Sequence, residues 1–483
     1  MKKRILSLVM AVAAFASVAG CGTKEDDGNK VTEISWYVPA VLEGKDVQEV
    51  LDTANALLAE RYGLKLNLNC VDNGNYNSKM QVMNAGREEY DLVFTSNWTN
   101  DFYKNVSNGV FYDISKDLPV YAPKLYESMS EAEKQAVTFD GGIYAVPNWQ
   151  IQAKSTALLF DKERLESTGM TLDQINSLDD VTAYLRKVHE IAPDCNIISD
   201  FWSALTFYNG INEIVEEGLP PAIYFNKDGK PQIINQYETQ EFEDYVKLRH
   251  QWTAEGIATN KYDPNVKASN KDVRREPFAV SIYKPGIEAD YKKSVGYDVV
   301  GKPFSEAVLS TAGINAALTG VSATSKHPQD AVRMLEVMHT DKEIYNLICW
   351  GIEGKHYNKI SDNKIEITEG AGYSRIPNWE MASIANSYLL SSAADDVVEK
   401  TEEYNNSAKA SPIIGMQFSV DNIATEMANC RTVVNEQLQM LELGLTDDVD
   451  AKLAKFREDL KISGVDSMIE ELQKQLDEWW ATK

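Results

Sequence analysis

The N-terminal part of the chain alternates between strand-like and helix-like spacing of its apolar residues. Residues 34–38 alternate apolar and polar side chains, and residues 47–58 then carry apolar side chains at helical spacing. Residues 64–68 alternate again, residues 76–83 return to helical spacing, and residues 91–95 form a short apolar run. This order of strand, helix, strand, helix and strand predicts a parallel sheet that is covered by helices on both faces.

The stretch 139–165 is predicted to carry the chain from one lobe to another. It opens with a turn at Gly141-Gly142, continues as an apolar run that Pro147 ends, and resumes as a second apolar run over residues 157–160. A short strand that is interrupted by glycine and proline suits a hinge facing a cleft. An ordinary buried strand with a surface tryptophan is the alternative on this stretch alone. Mixed strand and helix patterns follow to about residue 300, and the last hundred residues are mostly helical.

The first residues predict export and lipid attachment. Basic residues precede an apolar run from Ile5 to about Gly20, and small residues lie directly before Cys21. This pattern is typical of a lipoprotein signal peptide over residues 1–20, with Cys21 as the acylated first residue of the mature chain. Residues 21–30 are polar, so we expect a flexible tether. Two acyl chains would then anchor the protein to the outer face of a membrane. A plain secretory signal with an incidental cysteine is the alternative.

Charge and motifs argue against several classes of protein. The formal net charge of −25 repels phosphate backbones, so we expect no nucleic-acid partner. The remaining cysteines show no Cys-x-x-Cys or Cys/His spacing, and we expect no disulfide framework, metal or cofactor. No nucleotide-binding, zinc-protease or serine-hydrolase motif occurs. We therefore expect a protein that is not an enzyme. The 73 acidic residues still leave a surface glycoside hydrolase or lyase as the least favoured alternative.

Aromatic and uncharged polar residues gather where strands and turns are expected to end. Ligands bind at the carboxyl ends of parallel strands, which makes Trp36, Asn73 and Trp98 candidates. Four further tryptophans that lie outside helical stripes are candidates for the same cleft: Trp149, Trp202, Trp350 and Trp379. A sugar ring stacks on an indole, and its hydroxyls pair with amides, so this composition favours a sugar site. Core packing is the alternative for each of these residues.

Two basic residues near the candidate site support a different ligand. Lys154 and Arg375 could pair with carboxylates. A receptor for peptides or acidic (uronate) sugars therefore remains an alternative to a receptor for neutral sugars.

Several stretches resemble one family. GGIYAVP at 141–147, LLFDKERLESTGM at 158–170 and AGINAALTGVSATSKHPQDAVRML at 312–335 resemble the extracellular solute-binding proteins of carbohydrate ABC transporters, the family 1 group that includes maltose-binding protein. WGIEGKHYNKI at 350–360 and the helical C-terminus are similar to a Gram-positive lipoprotein subgroup with an extra C-terminal domain of unknown function.

The resemblance implies an α/β fold of the type II periplasmic-binding-protein-like class. Each of two lobes would be a mainly parallel sheet flanked by helices, with the ligand cleft between the lobes. Lobe 1 would comprise 31–146 plus 301–373, and lobe 2 would comprise 147–300 plus 374–483. The resemblance also implies a monomer that captures a sugar or oligosaccharide by hinge closure and delivers it to the transmembrane subunits of an ABC permease.

Overall fold

The structure covers the chain that follows the predicted tether. A computed structural model describes residues 31–193, 198, 200–225, 227–258, 275–374 and 376–483. The predicted signal peptide, Cys21 with its tether, and Arg375 lie outside the described residues. Within the described part of the chain, no helix has both the length and the apolar character needed to cross a membrane.

The first stretch of the chain begins with the predicted order of strands and helices. Its elements are β1 (Thr32–Val38), α1 (Val47–Tyr62), β2 (Leu64–Cys70), α2 (Asn73–Gly86), β3 (Leu92–Thr95), α3 (Phe102–Ser107), α4 (Leu118–Tyr121), α5 (Pro123–Ser128), α6 (Glu131–Ala136), β4 (Thr138–Phe139), β5 (Gly142–Ile143) and β6 (Ala145–Pro147). Gly63 caps the C-terminus of helix α1. Its left-handed φ of 65° lets its N–H reach the carbonyl of Ala59 at 3.1 Å.

The second stretch alternates short strands with helices. Its elements are β7 (Thr156–Asp161), α7 (Lys162–Ser167), α8 (Leu178–Ile191), α9 (Trp202–Leu205), β8 (Ile211–Glu213), β9 (Pro221–Tyr224), β10 (Ile233–Asn235), α10 (Gln240–Ala254), β11 (Phe278–Ile282), α11 (Ile287–Val295) and β12 (Val299–Pro303).

The remaining stretch returns once to the first sheet and ends in helices. Its elements are β13 (Val308–Leu309), α12 (Thr311–Ile314), β14 (Leu318–Val321), α13 (Pro328–Thr340), α14 (Lys342–Trp350), β15 (Tyr357–Lys359), β16 (Lys364–Ile367), β17 (Leu389–Leu390), α15 (Val397–Ser407), β18 (Lys409–Ala410), α16 (Ala424–Glu442), α17 (Val449–Ile462) and α18 (Val465–Trp480).

Lobe 1 contains a five-stranded sheet in the order β2-β1-β3-β14-β6. Strand β1 is parallel to β2 and β3, as the sequence predicts, whereas β14 is antiparallel to both of its neighbours. The side chains of Ile34, Trp36 and Val38 alternate along β1, and all three are fully buried. The carboxyl ends of the three parallel strands therefore share one edge of the sheet.

Lobe 2 differs from the prediction of a mainly parallel sheet. Its central strand β7 lies between β11 and β12 and is antiparallel to both, and β8, β9 and β10 form a second antiparallel sheet. The physical reason is the path of the chain. Strand β7 leads away from lobe 1, whereas β12 must run back towards it to return the chain.

Three crossing segments, 148–155, 304–316 and 391–412, connect the lobes. The backbone of Lys154 in the first crossing pairs with that of Val308 in the second, with N–O distances of 2.9 and 2.8 Å. Strand β13 of the second crossing pairs with β18 of the third. We call these three paired segments the hinge, because they join the two hydrophobic cores along the described part of the chain.

The buried residues place two lobe boundaries later than the sequence analysis predicts. Residues 301–303 belong to β12 and therefore to lobe 2. Residues 376–390 pack with the lobe 1 core, where Ile376 and Met381 are almost fully buried. The third crossing therefore follows residue 390 rather than residue 373.

Asn405 fastens the first crossing to the third. Its side-chain oxygen accepts hydrogen bonds from the backbone N–H groups of Gln152 and Ala153 at 3.0 and 3.1 Å, and its amide donates to the carbonyl of Gln150 at 2.7 Å. Replacing Asn405 with alanine leaves these backbone groups without their partner, so we expect the free energy of unfolding to fall by about 1–3 kcal/mol in urea denaturation. Asn406→Ala, at the exposed neighbouring position, is the matched control. Equal stability of the two variants would contradict this role.

Candidate ligand-binding cleft

Two tryptophans form an aromatic platform at the carboxyl edge of the lobe 1 sheet. Trp98 follows β3 and is 55% exposed, and its ring lies 6.2 Å from that of Trp379 at an angle of 49°. Both rings also contact the buried ring of Phe94, each at 5.9 Å. The indole N–H of Trp98 donates to the carbonyl of Ala316 at 2.8 Å, which fixes the ring orientation while leaving much of its surface open. We call Trp98 and Trp379 the platform.

The first crossing brings Trp149 beside the platform. The backbone of Trp149 accepts from the N–H of Ile384 at 3.0 Å and donates to the carbonyl of Ala382 at 2.8 Å. The buried side chain of Asn148 donates to the carbonyl of Trp379 at 3.3 Å. Trp149, which is half-buried, therefore lies where the hinge meets the segment that carries Trp379.

Two tyrosines lie where the lobe 2 sheet meets the hinge, one at the end of β11 and one on the third crossing. Tyr283 directly follows β11, and its N–H donates to the carbonyl of Ser155 at 2.9 Å. The hydroxyl of Tyr404 bonds to the hydroxyl of Ser155 at 2.5 Å, and the two tyrosine rings are 5.1 Å apart. Ser155 is six positions along the chain from Trp149, so these points on the backbone are at most about 21 Å apart. We call Tyr283 and Tyr404 the tyrosine pair.

A carboxylate and a lysine lie near each other on the lobe 2 side of the hinge. Glu213 accepts hydrogen bonds from the amide of Gln236 and the N–H of Gly218, both at 2.8 Å. Burial raises the pKa of Glu213 to about 6, and the positive charge of Lys154 partly opposes that rise. Lys154, the lysine predicted as a contact for acidic ligands, is half-buried, and its charge acts weakly on this carboxylate.

Three of the candidate tryptophans lie in the lobe cores, where the structure gives them no open ring face. Trp36 is fully buried because β1 continues for two residues beyond it. Trp202 packs on Phe242 at 5.0 Å in the lobe 2 core. Trp350 ends α14 and donates its indole N–H to the hydroxyl of Ser387 at 3.1 Å. We therefore leave all three out of the proposed site.

Asn73 lies at the predicted edge of the sheet but away from the platform. It opens α2, is exposed, and follows the edge strand β2. Because β1 lies between β2 and β3, Asn73 is about two strand spacings, or roughly 10 Å, from the end of the strand that precedes Trp98. The structure brings the rings of Trp98 and Trp379 together, places the backbone of Trp149 beside the segment that carries Trp379, and places Asn73 at the margin.

The sequence analysis missed the tyrosine pair. Tyr283 ends an apolar run that Pro285 and Gly286 terminate, so the strand-end argument that selected Trp98 would also have found it. Tyr404 carries no such signal, because it lies within the polar helix α15 and approaches the cleft only through the path of the third crossing.

Comparisons with known proteins agree with this architecture. Residues 412–481 match the family described as "Domain of unknown function (DUF3502)". The chain is 25% identical to a carbohydrate ABC transporter substrate-binding protein of Streptococcus pneumoniae, over all of this chain and 99% of that protein. It is 20% identical to the polygalacturonan/rhamnogalacturonan-binding protein YtcQ of Bacillus subtilis over 78% of each chain.

A solved structure shows the same fold. The N-glycan transport solute binding protein NgtS of Streptococcus pneumoniae superposes with a TM-score of 0.76 at 23% identity, covering 92% of this chain and 98% of that one. NgtS in complex with Man1GlcNAc superposes with a TM-score of 0.66. The predicted two-lobed, type II periplasmic-binding-protein-like fold is confirmed, and so is the resemblance to carbohydrate ABC transporter substrate-binding proteins.

Proposed function

We propose that the protein is the substrate-binding lipoprotein of an ABC importer, which captures a sugar or oligosaccharide in the cleft between its lobes. The observation that carries this proposal is the placement of partly exposed aromatic side chains near both ends of the first crossing. The platform lies on lobe 1, and the tyrosine pair lies where lobe 2 meets the hinge. A ligand that stacks on both groups is held only when the lobes approach each other.

The side chains of the site suit a neutral sugar. Indole and phenol rings stack on the apolar faces of pyranose rings, and the phenol hydroxyls can exchange hydrogen bonds with sugar hydroxyls. Closure of the lobes is then driven by contacts that exist only in the closed state. The relatives that match over most of the chain support a role in delivery to a permease and no enzymatic activity.

We further propose that the mature protein is anchored to the outer face of the cytoplasmic membrane through Cys21. The support is the order of basic residues, apolar run, small residues and cysteine at the N-terminus. A Cys21→Ser variant should appear in the culture medium, whereas the parent protein should sediment with membranes. Equal partition of the two proteins would contradict lipid attachment.

A receptor for acidic sugars is the second candidate. The position of Lys154 at the hinge favours it, and so does the similarity to YtcQ, which is described as binding polygalacturonan and rhamnogalacturonan. Against it, Glu213 lies close enough to Lys154 to offset part of its charge.

The change in thermal unfolding midpoint across a ligand panel tests both candidates. The panel contains neutral oligosaccharides, including Man1GlcNAc, together with uronic-acid oligosaccharides and peptides. A ligand at about a hundred times its dissociation constant adds roughly 2.7 kcal/mol to the free energy of unfolding, which is a readable rise in the midpoint. A rise with neutral sugars alone supports the first candidate, and a rise with uronates alone supports the second. A rise with peptides alone would overturn both.

A further inference from the structure

Glu380 is a buried acid whose carboxyl group makes no hydrogen bond to any residue that the structure describes. It directly follows Trp379 of the platform and is 0% exposed, and neither of its carboxyl oxygens has a partner among the described residues. Two other buried acids among the described residues, Asp161 and Glu133, are paired. Asp161 bonds to Arg275, and Glu133 accepts hydrogen bonds from Ser130. Burying an unpaired carboxyl group costs free energy that no hydrogen bond from the described residues offsets.

The surroundings of Glu380 favour an uncharged carboxyl group. The titratable groups that face it are the thiol of Cys70 at the end of β2, the phenol of Tyr76 on α2 and the thiol of Cys349 on α14. No basic side chain of the described residues forms an ion pair with it. Burial raises the pKa of Glu380 to about 8, so the group is mostly protonated at neutral pH.

The segment that carries Glu380 also contains a strained backbone conformation. Ala382 has a φ of 50°, a left-handed conformation that is unfavourable for a residue with a Cβ atom. The segment 378–384 is nevertheless held firmly, because the hydroxyl of Tyr345 donates to the carbonyl of Asn378 at 2.6 Å and Trp149 bonds to Ala382. Strained and unsatisfied groups concentrate where function requires them. Here the unsatisfied Glu380 and the strained Ala382 both lie within three residues of Trp379.

We infer that Glu380 is a positioning residue for Trp379, which holds the indole ring against Trp98 and Phe94 in the arrangement that binds ligand. This inference rests on the proposed function. The uncharged side chain is fully buried. An ionised carboxylate has no cation there among the described residues and gains most by turning towards water in the cleft. That movement displaces the adjacent Trp379 and removes one ring from the platform.

A pH titration of tryptophan fluorescence without any sugar tests the positioning role directly. The full chain and the variants Glu380→Gln, Trp379→Phe and Glu442→Gln are compared from pH 6 to pH 10. Glu442 is the matched control, since burial in lobe 2 also raises its pKa to about 8. The part of the fluorescence change near pH 8 that comes from Trp379 disappears in Trp379→Phe. We expect the same part to disappear in Glu380→Gln and to remain in Glu442→Gln. Retention of this part in Glu380→Gln would overturn the inference.

The pH dependence of ligand affinity gives the functional readout. The ligand is Man1GlcNAc, or the panel sugar that raises the thermal midpoint most. If the protein binds sugar only while Glu380 is uncharged, the apparent dissociation constant should increase about tenfold between pH 7 and pH 9. Glu380→Gln should bind with less than a twofold change over this range, whereas Glu442→Gln should behave like the parent chain. An unchanged pH slope in Glu380→Gln would contradict the role. Failure of every sugar to bind would contradict the proposed function, while the fluorescence titration still decides the positioning of Trp379.

Discussion

Replacing Trp98 with alanine should weaken sugar binding about 10- to 100-fold, which corresponds to the roughly 1–3 kcal/mol that a central aromatic anchor contributes. Trp98 is the most exposed ring of the platform, and its indole N–H is already bonded to the carbonyl of Ala316. Its ring surface is therefore free to stack on a ligand without further ordering of the side chain. Isothermal titration with the best sugar of the panel measures the change.

Trp480→Ala is the matched control for this prediction. Trp480 is half-buried at the end of α18, and its ring contacts Trp479 rather than the platform. Its replacement should leave the dissociation constant within about twofold of the parent value. Equal affinity of the Trp98→Ala variant and the parent chain would remove Trp98 from the site.

Replacing Phe456 with alanine should lower the free energy of unfolding by about 3–5 kcal/mol, the range for a fully buried phenylalanine. Phe456 lies on α17, is 0% exposed, and packs at 5.1 Å from Tyr237 and 6.4 Å from Phe242. The matched domain of unknown function therefore completes the core of lobe 2. Urea denaturation measures the effect.

The control variant is Ile462→Ala, because Ile462 lies on the same helix and is 76% exposed. It should change the free energy of unfolding by less than about 0.5 kcal/mol. Similar losses in both variants would contradict this account of the C-terminal helices.

The sequence predicted the start of lobe 1 well because its elements are regular and local. The alternation in β1 and the helical spacing in α1 follow from neighbouring residues, and Gly63 supplies the stop. The same alternation could not show at which residue β1 ends. Trp36 was therefore a candidate contact although the strand runs on to Val38 and leaves Trp36 in the core.

Features that depend on the path of the chain were harder to predict. The antiparallel pairing of β7 with β12 follows from the need to return to lobe 1, which no local pattern encodes. The late boundary of lobe 1 depends on Ile376 and Met381 packing against the first core. Tyr404 lies on the third crossing beside Tyr283, and its neighbours in sequence are polar. Distant parts of the chain thus determine where the tyrosine pair forms.

The C-terminal helices illustrate the same limit. Their apolar stripes predicted amphipathic helices, and the structure shows Leu453, Phe456 and Leu460 buried on α17. The stripes alone could not show which surface they cover. The contacts of α16 with α10, and of α18 with β10, assign them to lobe 2.

The central claim is that a sugar binds between the two lobes and draws them together. Small-angle X-ray scattering of the protein, with and without a saturating amount of the best sugar from the panel, tests it most directly. We predict that the radius of gyration falls on saturation in the parent chain and in Trp480→Ala. An unchanged radius of gyration, with saturation verified by calorimetry on the same sample, would contradict capture between the lobes.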